Sequence, residues 1–201
     1  MITLTNPPIP KAAKRTNRPA PTTDIGYRIR FNTVIAAVSD AYIRELVVIS
    51  HFASTDDRLL LLWKRTQSVG EDVRELTNSP GDELEELFQA NLTTALVALA
   101  AHVFAWLSPA PGGTRRAMRQ VWSERERQRE LFREKKISFD VAGPIIDPRR
   151  KFRVLAEEVG EVAHALDQIE NHGMASGNLH MELIQVAAVA VAWLESMEVQ
   201  S

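Results

Sequence analysis

The chain has 201 residues, of which 45% are hydrophobic and 25% are charged, and its formal net charge is −2. This composition is typical of a soluble globular protein with a real core, and the charge gives no basic field for a nucleic acid or an anionic membrane. The chain contains no cysteine, which excludes disulfides and thiolate metal sites and fits a reducing, cytoplasmic setting.

Residues 1–23 are rich in proline, lysine, arginine and small polar residues. They lack the apolar segment of a signal peptide, and they cannot bury enough surface to fold alone. We therefore expect a disordered basic tail, for which binding to a nucleic acid or another partner is only weakly indicated. The most apolar runs of the chain, near residues 92–107 and 183–194, are too short to span a bilayer, so no membrane contact is expected.

The rest of the chain is predicted to be an all-α helical bundle, because apolar residues recur at spacings of three and four and no two-residue period persists. The predicted helices lie near residues 25–53, 57–77, 81–107, 114–137, 148–171 and 179–198. Asp56-Asp57 are predicted to cap the second helix, Ser79-Pro80 to begin the third and Asp147-Pro148 to begin the fifth. Residues 137–147 are predicted to form an extended connector.

The chain breakers at residues 109–113 divide this region into two three-helix halves, residues 24–110 and 111–201. Val69-Gly70-Glu71 in the first half matches Val159-Gly160-Glu161 in the second, and each half ends an apolar helix with Ala-Trp-Leu. This pattern favours a degenerate tandem repeat, and an unrelated helical first half is the alternative. Under a repeat the first half lacks three acids, since its Gln67, Ser68 and Ala95 occupy the places of Glu157, Glu158 and Glu182.

Carboxylates concentrate on the last two helices of the second half. Glu157, Glu158 and Glu161 lie within two turns of the fifth helix, and the last two project from one side of it. Glu182 and Gln185, also three apart, lie on the early turns of a helix that is otherwise apolar all round and hence buried. If the two helices pack antiparallel, three carboxylates and an amide oxygen converge near the core.

Such a cluster needs a compensating positive charge, because a buried carboxylate loses its hydration. Mg²⁺ takes oxygen ligands and keeps positions for waters and for phosphate oxygens. The cluster therefore predicts a site for Mg²⁺-dependent phosphate chemistry, in which Mn²⁺ can replace Mg²⁺. The alternative is an ordinary solvated helix face, since glutamates three apart commonly pair with nearby bases.

The spacing EExxE at residues 157–161, followed by ExxQ at residues 182–185, resembles the EExxE and ExxD signature of the MazG-like all-α nucleoside triphosphate pyrophosphohydrolases. The flanking segments DPRRKFRVLAEEVGEVAHAL and ELIQVAAVAVAWLE are similar to those of phage and actinobacterial members. The resemblance covers roughly residues 120–198 and implies hydrolysis of a (d)NTP to the (d)NMP and pyrophosphate. Gln185 departs from the signature, because an amide offers an oxygen ligand without a charge.

The resemblance implies a set of site residues. The implied metal ligands are Glu158, Glu161, Glu182 and Gln185, and the implied catalytic acids are Glu157, Glu158 and Glu161. The resemblance also implies a homodimer. A non-catalytic nucleotide- or protein-binding module with a vestigial site is the alternative function, which Gln185 and the acid-poor first half motivate.

Substrate contacts are predicted from the residues around the acidic helix. Lys136 and Lys151 are candidate phosphate contacts, and Phe139 is a candidate wall of a nucleobase pocket. Bases and glutamates alternate along residues 114–136, so most of these charges are expected to form a solvated, salt-bridged face.

Overall fold

The computed structural model describes residues 24–51, 54–78, 82–109 and 114–197. Its helices are α1 Asp24–His51, α2 Thr55–Asn78, α3 Asp82–Leu107, α4 Thr114–Arg133, α5 Pro148–His172 and α6 Gly177–Met197. No β-strand occurs in the described ranges, so the predicted all-α helical bundle is confirmed. The predicted basic tail and the predicted helix start at Ser79-Pro80 lie outside the described residues.

Two helix starts show how local hydrogen bonds set the boundaries. Ser54 caps α2, because its hydroxyl accepts the backbone N–H of Asp57 at 3.1 Å and donates to the Asp57 carboxylate at 2.7 Å. The side chain of Ser54 therefore satisfies a backbone N–H of the first turn, as an N-cap residue does, and the prediction that Asp56-Asp57 would provide the cap is wrong. Asp147 caps α5 as predicted, since its carboxylate accepts the backbone N–H of Arg149 at 2.9 Å.

The end of α4 comes four residues before the predicted position. Lys135 adopts the left-handed region with φ 60, and the backbone N–H of Lys136 donates to the carbonyl of Leu131 at 2.8 Å. These bonds close the last turn of α4. Residues 137–147 were predicted to be extended, but they fold into successive turns. Gly173, with φ 63, ends α5 where the sequence predicted.

The two halves pack together through their most apolar helices. α3 packs against α1 and α2 in the first half, and α6 packs against α4 and α5 in the second. α3 and α6 pack against each other, and α2 packs on α5 beside them. Each helix of the first half therefore has a counterpart in the second. A common origin of the halves as a repeat stays a prediction.

By length and composition alone, two helices could cross a membrane, Leu84–Leu107 with 24 residues and Gly177–Met197 with 21. The predicted apolar runs, residues 92–107 and 183–194, lie inside these longer helices, and the absence of membrane contact stays a prediction. In each helix, more than half of the most apolar stretch is buried inside the bundle. The same composition also suits a helix at the centre of a folded domain.

Candidate functional site

α5 and α6 bring Glu158 and Gln185 into direct contact, as the spacing of the polar residues predicted. The side-chain amide of Gln185 donates to the Glu158 carboxylate, with Nε2 and Oε2 2.9 Å apart. Both side chains are half-buried, because Leu155 and Val159 turn the adjoining face of α5 to the core. The two predicted helices therefore do form one polar site at the edge of the core.

The pKa of Glu158 reflects its burial first and the acids around it second. That pKa is raised to about 7, mainly by burial; the hydrogen bond from Gln185 lowers it, and the nearby carboxylates of Glu182, Glu157 and Glu124 raise it further. The pKa of Glu182 is raised as well, by burial and then by Glu161 and Glu124. The acids of the site therefore lie close enough to repel one another when all are ionised.

Two residues of α4 belong to this site and were not predicted. Glu124 is buried, with 6% of its surface exposed. It accepts two N–H groups of Arg127, at 2.6 and 2.7 Å, and the side-chain amide of Gln128 at 3.1 Å. This is a bidentate, charge-assisted pair. Arg127 thus neutralises Glu124, and Glu158 is left with a neutral amide as its hydrogen-bond donor.

Helical spacing in the sequence indicated that two charged residues of α4, Glu124 and Arg125, would be buried. Ala117 and Val121 lie on the core face of α4, and the same helical spacing continues to Glu124 and Arg125, both of which are buried. The expected solvated face exists at the outer positions, where Arg133 pairs with Glu130. For Glu124 and Arg125 the expectation of a solvated face is wrong. Both residues lie at core spacing, but the alternation of bases and acids along α4 led to the prediction that they would be exposed.

A cavity of about 390 Å³ opens beside Glu158 and Gln185. Its apolar wall consists of Leu131, Ile137, Phe139, Val141, Val154 and Val189. Phe139 was predicted to line a nucleobase pocket, and it does line the cavity that contains Glu158. Arg127 lies between this cavity and a second one of about 360 Å³ that also contains Arg116 and Arg119. The acids therefore adjoin both an apolar wall and a group of arginines.

Four predicted site residues lie elsewhere or face outward. Glu157 and Glu161 are exposed. Lys136 is exposed and pairs with Glu134 at 2.7 Å. Lys151 is buried, and it lines a different cavity. Neither lysine lines the cavity beside Glu158, and the arginines of α4 occupy the positions next to the acids instead.

The predicted metal ligands offer the donor atoms of a site for a hard divalent cation. In the described part of the chain, no three acid or histidine side chains already stand together as a metal-binding group. Glu158, Glu182 and Gln185 nevertheless offer carboxylate and amide oxygens, which are the ligands that Mg²⁺ prefers. Burial, and to a smaller extent the neighbouring carboxylates, raise the pKa values of Glu158 and Glu182, and a bound cation would favour their ionised forms.

Comparisons of the chain with protein-family models, with curated proteins and with solved structures found no match. The resemblance to MazG-like enzymes stays a prediction, as do the homodimer and the cytoplasmic location.

Proposed function

We propose that this protein is a Mg²⁺-dependent nucleoside triphosphate pyrophosphohydrolase that converts a (d)NTP to the (d)NMP and pyrophosphate. The observation that carries the proposal is Glu158, a half-buried carboxylate with unbalanced negative neighbours at the wall of an open cavity. A cavity of about 390 Å³ falls within the range of small-molecule sites. Its apolar wall, which includes Phe139, suits a base and sugar.

The metal would be held by oxygens of Glu158 and Glu182, with Glu161 at the exposed edge. Bound Mg²⁺ or Mn²⁺ supplies charge for the phosphate oxygens and lowers the pKa of a water. Gln185 donates to Glu158, so in this arrangement it positions that carboxylate and stabilises its ionised form.

The remaining residues act on the substrate. Arg127, beside Arg116 and Arg119, can orient the phosphates, because guanidinium groups match phosphate oxygens in shape and charge. Glu157 and Glu161 are exposed and can accept the proton of the attacking water. The apolar wall of the cavity excludes bulk water from the base and sugar.

Pyrophosphate release from a panel of canonical and modified (d)NTPs, with Mg²⁺ or Mn²⁺, tests the proposal. We expect turnover of at least one nucleotide, and a loss of about a hundredfold or more in Glu158→Gln, because the ionised carboxylate is removed. Glu71→Gln is the control, since Glu71 is an exposed glutamate of α2, in the half without the proposed site, and its turnover should not change. No turnover of any nucleotide, together with no metal-dependent rise in melting temperature, would overturn the proposal.

A non-catalytic nucleotide- or protein-binding module is the second candidate, and the Gln185–Glu158 hydrogen bond favours it. Gln185→Asp separates the two, because it adds one negative charge to the cation site. For an enzyme we expect about tenfold tighter Mn²⁺ binding by calorimetry and faster pyrophosphate release, since ligand charge tunes affinity for a divalent ion. A binding module would instead show a nucleotide-dependent melting temperature and no turnover in either form.

A further inference from the structure

A separate cavity of about 370 Å³ lies where the two halves of the bundle meet. It is bounded by the ends of α2 and α6, by the starts of α3 and α5, and by the turns before α5. Leu76, Leu92 and Ile146 give it an apolar wall, and Trp193 adds an aromatic one. The acids of α5 and α6 do not line it, so it is distinct from the proposed catalytic site.

Lys151 lines this cavity from the first turn of α5. Only 3% of its surface is exposed. Its amine donates to the Ser196 hydroxyl at 2.5 Å, and that hydroxyl donates to the Trp193 carbonyl at 2.6 Å. Among the described residues Lys151 takes part in no ion pair. The amine is therefore buried against a neutral partner, which is unusual for a lysine.

The environment of the amine keeps part of it uncharged near neutral pH. Burial lowers the pKa of Lys151 to about 8, and the negative charge of Asp140 opposes this effect. Near pH 8 about half of these amines are neutral, whereas an ordinary lysine amine, with a pKa of about 10.4, is almost wholly protonated. Glu85 and Asp147 also line the cavity, and their negative charges disfavour an anionic ligand.

We propose that the Lys151 cavity binds a small aldehyde or ketone and holds it as a Schiff base on the lysine Nζ. The observations that point to it are a buried amine at the wall of an open cavity, a neighbouring hydroxyl, and aliphatic and aromatic side chains in a wall that also carries polar groups. A neutral carbonyl compound enters such a cavity without the repulsion that an anion would meet. The proposal is independent of the nucleotide chemistry.

The chemical step needs no oxidant, reductant or further reactant. The lone pair of Nζ attacks the carbonyl carbon, and the C=O π electrons move to the oxygen as the C–N bond forms. One proton moves from nitrogen to oxygen, which gives a carbinolamine. The carbinolamine then loses its hydroxyl and a second nitrogen proton as water, leaving the C=N bond. Burial of Lys151 limits the access of bulk water that would hydrolyse this bond.

Reductive trapping on the full chain tests the proposal. The protein is incubated with benzaldehyde and sodium cyanoborohydride at pH 7.5, and modified lysines are located by peptide mass spectrometry. We expect Lys151 to be labelled about tenfold or more faster than the exposed Lys64 and Lys136, because a larger share of its amine is neutral. Equal labelling of the three lysines, or no labelling of Lys151, would overturn the proposal.

Two variants show whether the cavity itself is the route to the amine. Gln89→Trp fills the cavity from α3 and should lower labelling of Lys151 at least about tenfold without changing that of Lys136. Thr94→Trp, at an exposed position of the same helix, is the matched control and should label like the original chain. Labelling of Lys151 that persists in a folded Gln89→Trp protein contradicts the proposal.

A third variant covers the case in which Gln89→Trp does not fold. Benzaldehyde should raise the melting temperature of the original chain, because it binds the folded state. Lys151→Arg keeps the positive charge but cannot form the imine, so this rise should vanish. A benzaldehyde-dependent rise that survives in Lys151→Arg contradicts the proposal.

Discussion

Each half of the bundle contains a polar cluster between its three helices, and the first of the two is balanced in charge. Arg65 of α2 donates to Glu45 of α1 at 2.6 Å. His102 of α3 is fully buried, with Nδ1 3.5 Å from the other Glu45 oxygen and Nε2 3.2 Å from the carbonyl of Arg58. One carboxylate meets one guanidinium here, so the formal charges of this pair offset each other.

The cluster of the second half is not balanced. Glu124 takes the guanidinium of Arg127, and among the described residues Glu158 receives a hydrogen bond only from the neutral amide of Gln185. Glu182 adds a further negative charge, and an open cavity adjoins the group. The difference teaches that a buried charge alone does not indicate a functional site. Unbalanced charge beside an open cavity makes a better candidate for such a site.

The largest expected effect on stability comes from unbalancing the first cluster. Arg65→Met leaves Glu45 buried without its guanidinium, and we expect the free energy of unfolding to fall by about 2 kcal/mol, allowing for the partial exposure of Arg65. Pyrophosphate release by the folded protein should not change. Urea unfolding measures the first quantity and a turnover assay the second.

Arg74→Met is the matched control, because Arg74 lies on the same helix in an exposed ion pair with Glu75. Its effect on stability should stay below about 0.5 kcal/mol. If Arg65→Met lowered the free energy of unfolding no more than this control, Arg65 and Glu45 would not form the buried, charge-balanced pair described above.

The contrast between the halves also shows what could be predicted from sequence. The bundle and the Glu158–Gln185 contact follow from helical period, which places residues three and four apart on one face. The burial of charged residues of α4 could not be predicted in this way, because alternating bases and acids are typical of a solvated helix. Arg125 is buried because Asp140 and Glu195, far apart in the chain, meet it at 3.3 and 3.2 Å.

Lys151 shows the same limit of sequence reasoning. Its place next to three other basic residues indicated a phosphate contact. Its side chain instead lies against Ser196, 45 residues further along the chain. The packing of the helices decides which distant residues meet in this way, and local sequence spacing does not predict such contacts.

A smaller effect tests the excess charge of the second cluster through pH. In the folded, metal-free protein Glu158 keeps its proton up to about pH 7, and in the unfolded chain it loses the proton near its ordinary pKa of 4.5. The contribution of Glu158 to the free energy of unfolding should therefore fall as the pH rises from about 4.5 to about 7. Glu158→Gln removes this fall.

Urea unfolding with EDTA present measures the difference between Glu158→Gln and the original chain. We expect a gain of about 1 kcal/mol at pH 8, after allowance for solvent screening of a half-buried group, and little difference at pH 4. For Glu157→Gln, at the exposed neighbouring position, the difference from the original chain in free energy of unfolding should be the same at both pH values. An equal gain for Glu158→Gln at both pH values would mean that packing, and not charge, is the cause.

The smallest effect separates the two valine-glycine-glutamate segments. A Cβ atom at Gly70 would lie 2.7 Å from Cζ of Phe152, whereas a Cβ at Gly160 would meet no atom within 4 Å. Glycine inside a helix lowers stability through its backbone entropy. Gly160→Ala should therefore raise the free energy of unfolding by about 0.5 kcal/mol, and Gly70→Ala should lower it because the Phe152 ring must move.

Nucleotide turnover by the same two variants tests whether the glycine of the second segment also matters for function. Gly160 lies on the exposed side of α5 directly before Glu161. If Gly160→Ala folds more stably yet hydrolyses nucleotide more slowly, the substrate approaches the backbone of α5 closely at that point, since a methyl group there meets no protein atom. If both stability and turnover are retained, the glycine of the second segment is only part of the helix scaffold. The functional difference between the halves then lies in the acids.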